Sequence, residues 1–86
     1  MSKREDPDLE AARQNLEFWM ECHQDQVMEK NHVLNRLRRT EDREWRRILY
    51  RWLGMVEEEM EEYRRAVENA EAIYREAEGL ASVDVH

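Results

Sequence analysis

The sequence predicts an all-α protein, an antiparallel helical hairpin of two long helices that dimerises into a four-helix bundle. Three features of the 86-residue chain support this fold class: it has only two Gly and one Pro, 41 % of its residues are charged, and its apolar residues recur at steps of three and four. Few turn-formers and few apolar residues disfavour a strand-rich fold. Steps of three and four are typical of amphipathic helices.

The first predicted helix covers residues 7–38. Asp6 suits the N-cap position and Pro7 the first helical position, where the missing N–H of proline would have no helical partner. Residues 1–6 are expected to be disordered. The apolar stripe of this helix contains Leu9, Ala12, Leu16, Trp19, Met20, Val27, Leu34 and Leu37, with His23 filling a gap.

The turn is predicted at Thr40, which can cap a second helix whose first turn holds Glu41 and Asp42. One unbroken rod is the alternative, because neither Gly nor Pro forces the helix to stop there. The second helix is predicted over residues 41–78, ending before Gly79, and residues 80–86 are expected to fray. Its stripe contains Trp45, Ile48, Leu49, Trp52, Val56, Met60, Tyr63, Val67, Ala70, Tyr74 and Ala77.

The predicted dimer follows from the width of the apolar surface. A lone helix pair buries only the seam between its helices, and the first helix carries a further apolar row, offset from its main stripe. Two hairpins in a bundle with the left-handed crossing of coiled coils would cover both. The additional row contains Ala11, Phe18, Cys22 and Val33.

Charge is segregated along the predicted hairpin. The chain has a net charge of −7, but residues 36–51 carry seven Arg against three acids. The turn end is therefore basic and the open end acidic, and an antiparallel dimer would place one beside the other. The Arg residues are interpreted as a solvated face with ion pairs such as Asp42 with Arg46, or alternatively as a patch that docks on phosphate or an acidic protein. This basic patch contains Arg36, Arg39, Arg43, Arg46 and Arg47.

One polar pair is predicted inside the core. Glu59 falls on the second stripe between Val56 and Tyr63, and a hairpin that turns near Thr40 brings it close to His23. We expect a hydrogen-bonded pair that sets the register of the helices. A dimer would duplicate the pair, so a metal-binding four-helix bundle is an alternative, although the main interpretation includes no metal and no cofactor.

The sequence predicts a protein–protein interaction module rather than an enzyme. Adjacent Cys22 and His23 diverge by about 100° on a helix, so they cannot form a nucleophile–base pair, and two isolated glycines form no phosphate-binding loop. We expect an adaptor or inhibitor that acts as a homodimer. The candidate contact residues are exposed apolar side chains, Phe18, Met28, Tyr50 and Met55, and an acidic face, Glu57, Glu58, Glu61 and Glu62.

Two further functions stay open at this point. An acidic protein could mimic nucleic acid and inhibit a nucleic-acid-binding complex, as phage antagonists do, whereas direct nucleic-acid binding is not expected at a net charge of −7. A long rigid rod would also suit an assembly chaperone or scaffold. The single Cys22 and the lack of a long apolar run indicate a reducing cytoplasm and no membrane contact.

Overall fold

The computed structural model describes residues 7–84 of the chain, with side chains through residue 80, and these residues form a hairpin of two helices. Helix α1 spans Pro7–Arg39 and helix α2 spans Arg43–Asp84, joined by three residues. The rod measures 66 × 20 × 14 Å. No strand occurs within residues 7–84. The predicted hairpin is therefore confirmed, and the unbroken rod is wrong.

The second helix is longer than the sequence predicts. It continues through Gly79 to Asp84, so residues 80–84 are helical rather than frayed. Gly79 does not adopt the positive φ of a C-terminal cap. A glycine inside a helix costs about 1 kcal/mol relative to alanine, which is too little to end a helix that packs on a partner. The predicted disorder of residues 1–6 and the last two positions of the predicted tail lie outside the described residues.

Asp42, rather than Thr40, caps the second helix. Its Oδ1 accepts hydrogen bonds from the backbone N–H of Glu44 at 2.9 Å and of Trp45 at 3.1 Å. The Thr40 hydroxyl instead donates to the carbonyl of Arg36 at 2.7 Å, inside the last turn of α1. Because the Asp42 carboxylate serves as the cap, the predicted ion pair with Arg46 does not form.

The helices meet along one seam. Val33 and Leu37 pack with Leu49 near the turn, and the rings of Trp19 and Tyr63 lie 6.0 Å apart further along. The numbers of opposed residues add to 82, as in 33 with 49 and 19 with 63, or to 83 in the layers between, and these sums define the register. Steps alternate between three and four residues on both helices, as in coiled coils. The seam contains Leu9, Ala12, Leu16, Trp19, His23, Gln26, Lys30, Val33 and Leu37 on α1, and Arg46, Leu49, Leu53, Val56, Met60, Tyr63, Val67, Ala70, Tyr74 and Ala77 on α2.

The middle of the α1 seam is polar. His23 lies there as the predicted stripe has it, but Gln26 and Lys30 do not belong to that stripe, and Val33, assigned by the sequence to an offset row, is fully buried. The difference arises because helices that pack along their length keep a repeat of 3.5 residues, from which a straight stripe drifts by about 20° per heptad. The Oε1 atom of Gln26 is buried without a hydrogen-bond partner among the described residues. By the register it lies opposite Val56, an apolar neighbour.

We predict that Gln26→Leu stabilises the hairpin by about 1–3 kcal/mol, because the variant removes an unpaired buried oxygen and adds apolar contact with Val56. Urea denaturation followed by circular dichroism measures the change in the free energy of unfolding. Gln24→Leu, at an exposed position of α1, is the matched control and should change that free energy by less than about 0.5 kcal/mol. A loss of stability in Gln26→Leu would contradict the proposed packing of the seam.

Candidate interaction surface

Two rows of α2 flank the seam, one on each side. The first row contains positions 45, 52, 59, 66, 73 and 80, and the second contains positions 50, 57, 64, 71 and 78. Contacts with α1 identify the sides: the ring of Trp52 lies 6.2 Å from that of His32 on the first side, and Lys30 Nζ lies 3.2 Å from Glu57 Oε2 on the second. The hairpin therefore has two long faces of different composition.

The second side carries all the ion pairs of the described residues, and we call it the ion-paired face. Most pairs join residues three or four positions apart in one helix, which is the spacing of neighbouring residues on a helix surface. The side-chain hydrogen bond from Arg64 lowers the pKa of Glu61, and the one from Arg13 lowers the pKa of Glu10. The face consists of Glu10, Arg13, Glu17, Lys30, Glu57, Glu61, Arg64, Arg65, Glu68, Glu71 and Arg75.

The first side carries large apolar side chains that are at least half exposed, and we call it the apolar face. The exposed fractions range from 50 % for Ile48 to 68 % for Leu80. An exposed apolar row of this length typically marks a surface that contacts another molecule. The apolar face consists of Phe18, Trp45, Ile48, Met55, Ile73 and Leu80, together with the half-buried Trp52 and Cys22 and with His32.

Charged residues on the apolar face are separated by sign. Asp25, Glu29, Glu59 and Glu62 form an acidic belt near the middle of the rod, and Arg36 and Arg39 lie near the turn. Within residues 7–80, none of these six side chains forms an ion pair or a side-chain hydrogen bond. On the ion-paired face, by contrast, most charged side chains are paired within the hairpin.

The sequence identified only part of the apolar face. Phe18 and Met55 are exposed and lie on it, whereas Tyr50 and Met28, although also exposed, lie on other sides of the rod. Trp45 and Ile48 were assigned to the core stripe, and this is wrong because each is about half exposed. Ile73 and Leu80 were missed, although the seven-residue spacing of positions 45, 52, 73 and 80 was a signal that could have identified the row.

The predicted core pair of His23 and Glu59 does not form. His23 lies half-buried in the seam, but Glu59 is exposed on the acidic belt, and no hydrogen bond joins the two in the described part of the chain. The seam passes from Val56 to Met60, which moves position 59 to the flanking row. No cluster of three or more His, Cys, Asp or Glu within residues 7–80 could hold a metal ion.

The four residues of the predicted acidic face do not act as one surface. Glu57 pairs with Lys30, and Glu61 pairs with Arg64 and Arg65 on the ion-paired face. Glu62 belongs to the acidic belt of the apolar face, and Glu58 points away from the seam between the two faces. Half of the predicted acidic face is thus neutralised by neighbouring cations.

One member of the predicted basic patch is structural. Arg46 is half-buried and donates through Nη1 to the carbonyls of Leu37 at 2.7 Å and Thr40 at 2.9 Å. Its Nη2 donates to the Tyr50 hydroxyl, and its guanidinium carbon lies 5.7 Å from the centre of that ring. Arg46 therefore satisfies one carbonyl in the last turn of α1, which has no helical partner, and one carbonyl of the turn itself. The other patch residues, Arg36, Arg39, Arg43 and Arg47, are exposed.

An open cleft of about 450 Å³ lies beside the turn, lined by Glu41, Arg43, Arg46, Arg47 and Tyr50. Within the described residues, neither helix is long and apolar enough to cross a membrane. Comparison of the chain with models of known protein families, with curated proteins and with solved structures found no match. The surface itself is therefore the basis for assigning a function.

We predict that Arg46→Ala destabilises the hairpin by about 1.5–3 kcal/mol, because charged hydrogen bonds to two carbonyls at the turn are lost. Chemical denaturation followed by circular dichroism measures the effect. Arg47→Ala, the neighbouring arginine without such bonds, is the control and should change the free energy of unfolding by less than about 0.5 kcal/mol. Equal effects of the two variants would show that Arg46 does not hold the turn.

Proposed function

We propose that this protein is a small acidic, non-catalytic protein–protein interaction module of the adaptor or inhibitor type, which acts as a helical homodimer. Its docking surface is the apolar face. The observation that carries the proposal is that six of the nine exposed large apolar side chains of the described residues lie along one side of the rod, while every ion pair of those residues lies on the other.

The free energy available on the apolar face favours association. Burial of apolar surface contributes about 25 cal/mol per Å², and aromatic side chains such as Phe18 and Trp45 are among the residues that dominate interface energies. Hydrogen-bonded ion pairs on the other face are already satisfied by their neighbours and gain little from a partner. The apolar face is thus the side of the hairpin that gains most from being covered.

The charges of the apolar face favour protein as the partner. The acidic belt of Asp25, Glu29, Glu59 and Glu62 would be repelled by the phosphates of nucleic acid and by an anionic lipid surface. A protein can present basic groups to the belt and apolar groups to the remainder of the face. Such a partner would bind in the compartment that the single Cys22 indicates, a reducing cytoplasm.

The other functions considered have less support. A nucleic-acid mimic would need an uninterrupted row of free acids, but Glu57 and Glu61 are paired with cations. A metal-binding bundle would need the core pair of His23 and Glu59 to form. A scaffold or assembly chaperone would use the same apolar face, and the nature of its partner would separate it from an adaptor.

We predict that the wild-type chain self-associates reversibly between about 1 µM and 1 mM, as measured by sedimentation equilibrium. Replacement of two residues of the apolar face, Ile48→Gln with Met55→Gln, should raise the dissociation constant at least about tenfold, because apolar area at the contact is lost. Circular dichroism should show unchanged helix content, since neither side chain is in the seam.

The matched control is Met28→Gln, an equally exposed methionine that lies off the apolar face, and it should associate as the wild type does. A wild-type chain that has the mass of one copy throughout the concentration range would overturn the homodimer. Unchanged association of the double variant would show that another surface is used.

A further inference from the structure

We propose that the turn half of the apolar face is covered by a second copy of this chain, packed antiparallel and staggered, with the two-fold axis at His32. This proposal rests on the proposed function and specifies its partner and geometry. It is carried by a symmetry in the positions of apolar and charged residues along the rod.

Positions along the rod follow from the register of the seam. Because opposed residues add to 82 or 83, each α2 residue lies level with an α1 position to within one residue. Trp45 is thus level with position 37, Ile48 with 34, Trp52 with 30 and Met55 with 27. The centre of these four levels is position 32, where His32 contacts Trp52 with its ring.

A two-fold axis at this centre pairs the apolar residues with one another. It brings each level n opposite level 64 − n of the second copy, so Trp45 faces the partner's Met55 and Ile48 faces the partner's Trp52. The two His32 side chains meet at the axis. An isologous contact of this kind requires a self-complementary patch, and these side chains form one.

The same axis pairs opposite charges. Arg39 comes opposite the partner's Asp25, and Arg36 comes within about one residue of the partner's Glu29. None of these four side chains has an ion-pair partner within residues 7–80. Pairing between copies would therefore satisfy charges that the single chain leaves unpaired, and complementary charges of this kind fix the orientation and register of an interface.

Other arrangements of two copies place like charges together. Full antiparallel overlap has its axis near position 20, where the acidic belts of the copies, with Glu59 and Glu62, meet. Parallel in-register packing stacks α1 on the partner's α2 and brings belt onto belt. Like charges in direct opposition are unfavourable at interfaces, so the stagger follows from the charge pattern.

The contact is large enough for a specific but weak dimer. The overlap runs from about position 23 to position 41, which is about 27 Å of helix at 1.5 Å per residue. With a rod about 20 Å wide, the interface buries about 1,100 Å² in total, at the lower end of specific protein interfaces. Phe18, Ile73 and Leu80 lie outside the overlap and stay available to another protein.

Cysteine cross-linking distinguishes the arrangements. Two proteins are compared at equal concentration under mild oxidation. The wild type has a single thiol, at Cys22. The double variant Cys22→Ser/His32→Cys also has a single thiol, at the proposed axis. The staggered dimer places the two thiols at position 32 together, whereas the Cys22 thiols are separated by about 30 Å along the rod. We expect a disulfide-linked dimer from the variant and none from the wild type.

The other outcomes overturn the proposal. Cross-linking through Cys22 alone indicates full antiparallel overlap, and cross-linking in both proteins contradicts the staggered axis, because that axis keeps the Cys22 thiols apart. If neither protein cross-links while sedimentation shows self-association through Ile48 and Met55, the geometry is wrong but the proposed function stands. If sedimentation shows no self-association, the homodimer fails as well.

A charge exchange tests the predicted ion pairs independently. Arg36→Glu and Glu29→Arg should each raise the dissociation constant about tenfold, because each places like charges opposite one another. The chain that carries both substitutions restores opposite charges across the axis and should recover affinity to within about threefold of the wild type. Arg47→Glu, at an exposed position off the apolar face, is the control for net charge, and additive losses in the double variant would overturn the pairing.

Discussion

The structure depends on one constraint, which is that a seam between two helices covers only one side of each. Apolar side chains spaced alternately by three and four residues pack α1 against α2. They extend from the pair Ala12 and Ala70 to the pair Leu37 and Leu49, and they form the whole core of the described chain. Because no third element covers the flanking rows, each row is either solvated or available to a partner. The difference between the ion-paired face and the apolar face is a consequence of this incomplete coverage.

The residues that hold the turn and the seam of the hairpin are distinct from those that are available for binding. Asp42 caps α2, and Arg46 satisfies one carbonyl in the last turn of α1 and one of the turn itself, so the turn is closed by side chains that are then unavailable for binding. Gln26 places an unpaired oxygen in the seam at a cost in stability. A buried polar group of this kind can restrict helices to one register, and in this hairpin the register determines which residues share a level on the surface.

Charge organises the apolar face. The acidic belt interrupts the apolar row between Phe18 and Met55, and the arginines near the turn end it. An apolar surface without these charges could pair with itself in many registers. When charges of opposite sign are separated along the surface, few registers avoid placing like charges opposite one another. The net charge of −7 is an average over the chain and does not show how the charges are distributed along the rod.

The sequence by itself determined the class of fold, the existence of both helices, the position of the turn and the separation of charge, because these depend on local spacing and on residue type. It did not determine which apolar residues form the core. Gln26, Lys30 and Val33 entered the seam, and Glu59, Trp45 and Ile48 moved to the surface, because a helix packed along its length follows a repeat of 3.5 residues rather than its own 3.6. Only the contact between the helices decided that phase, and with it the composition of the face that is left uncovered.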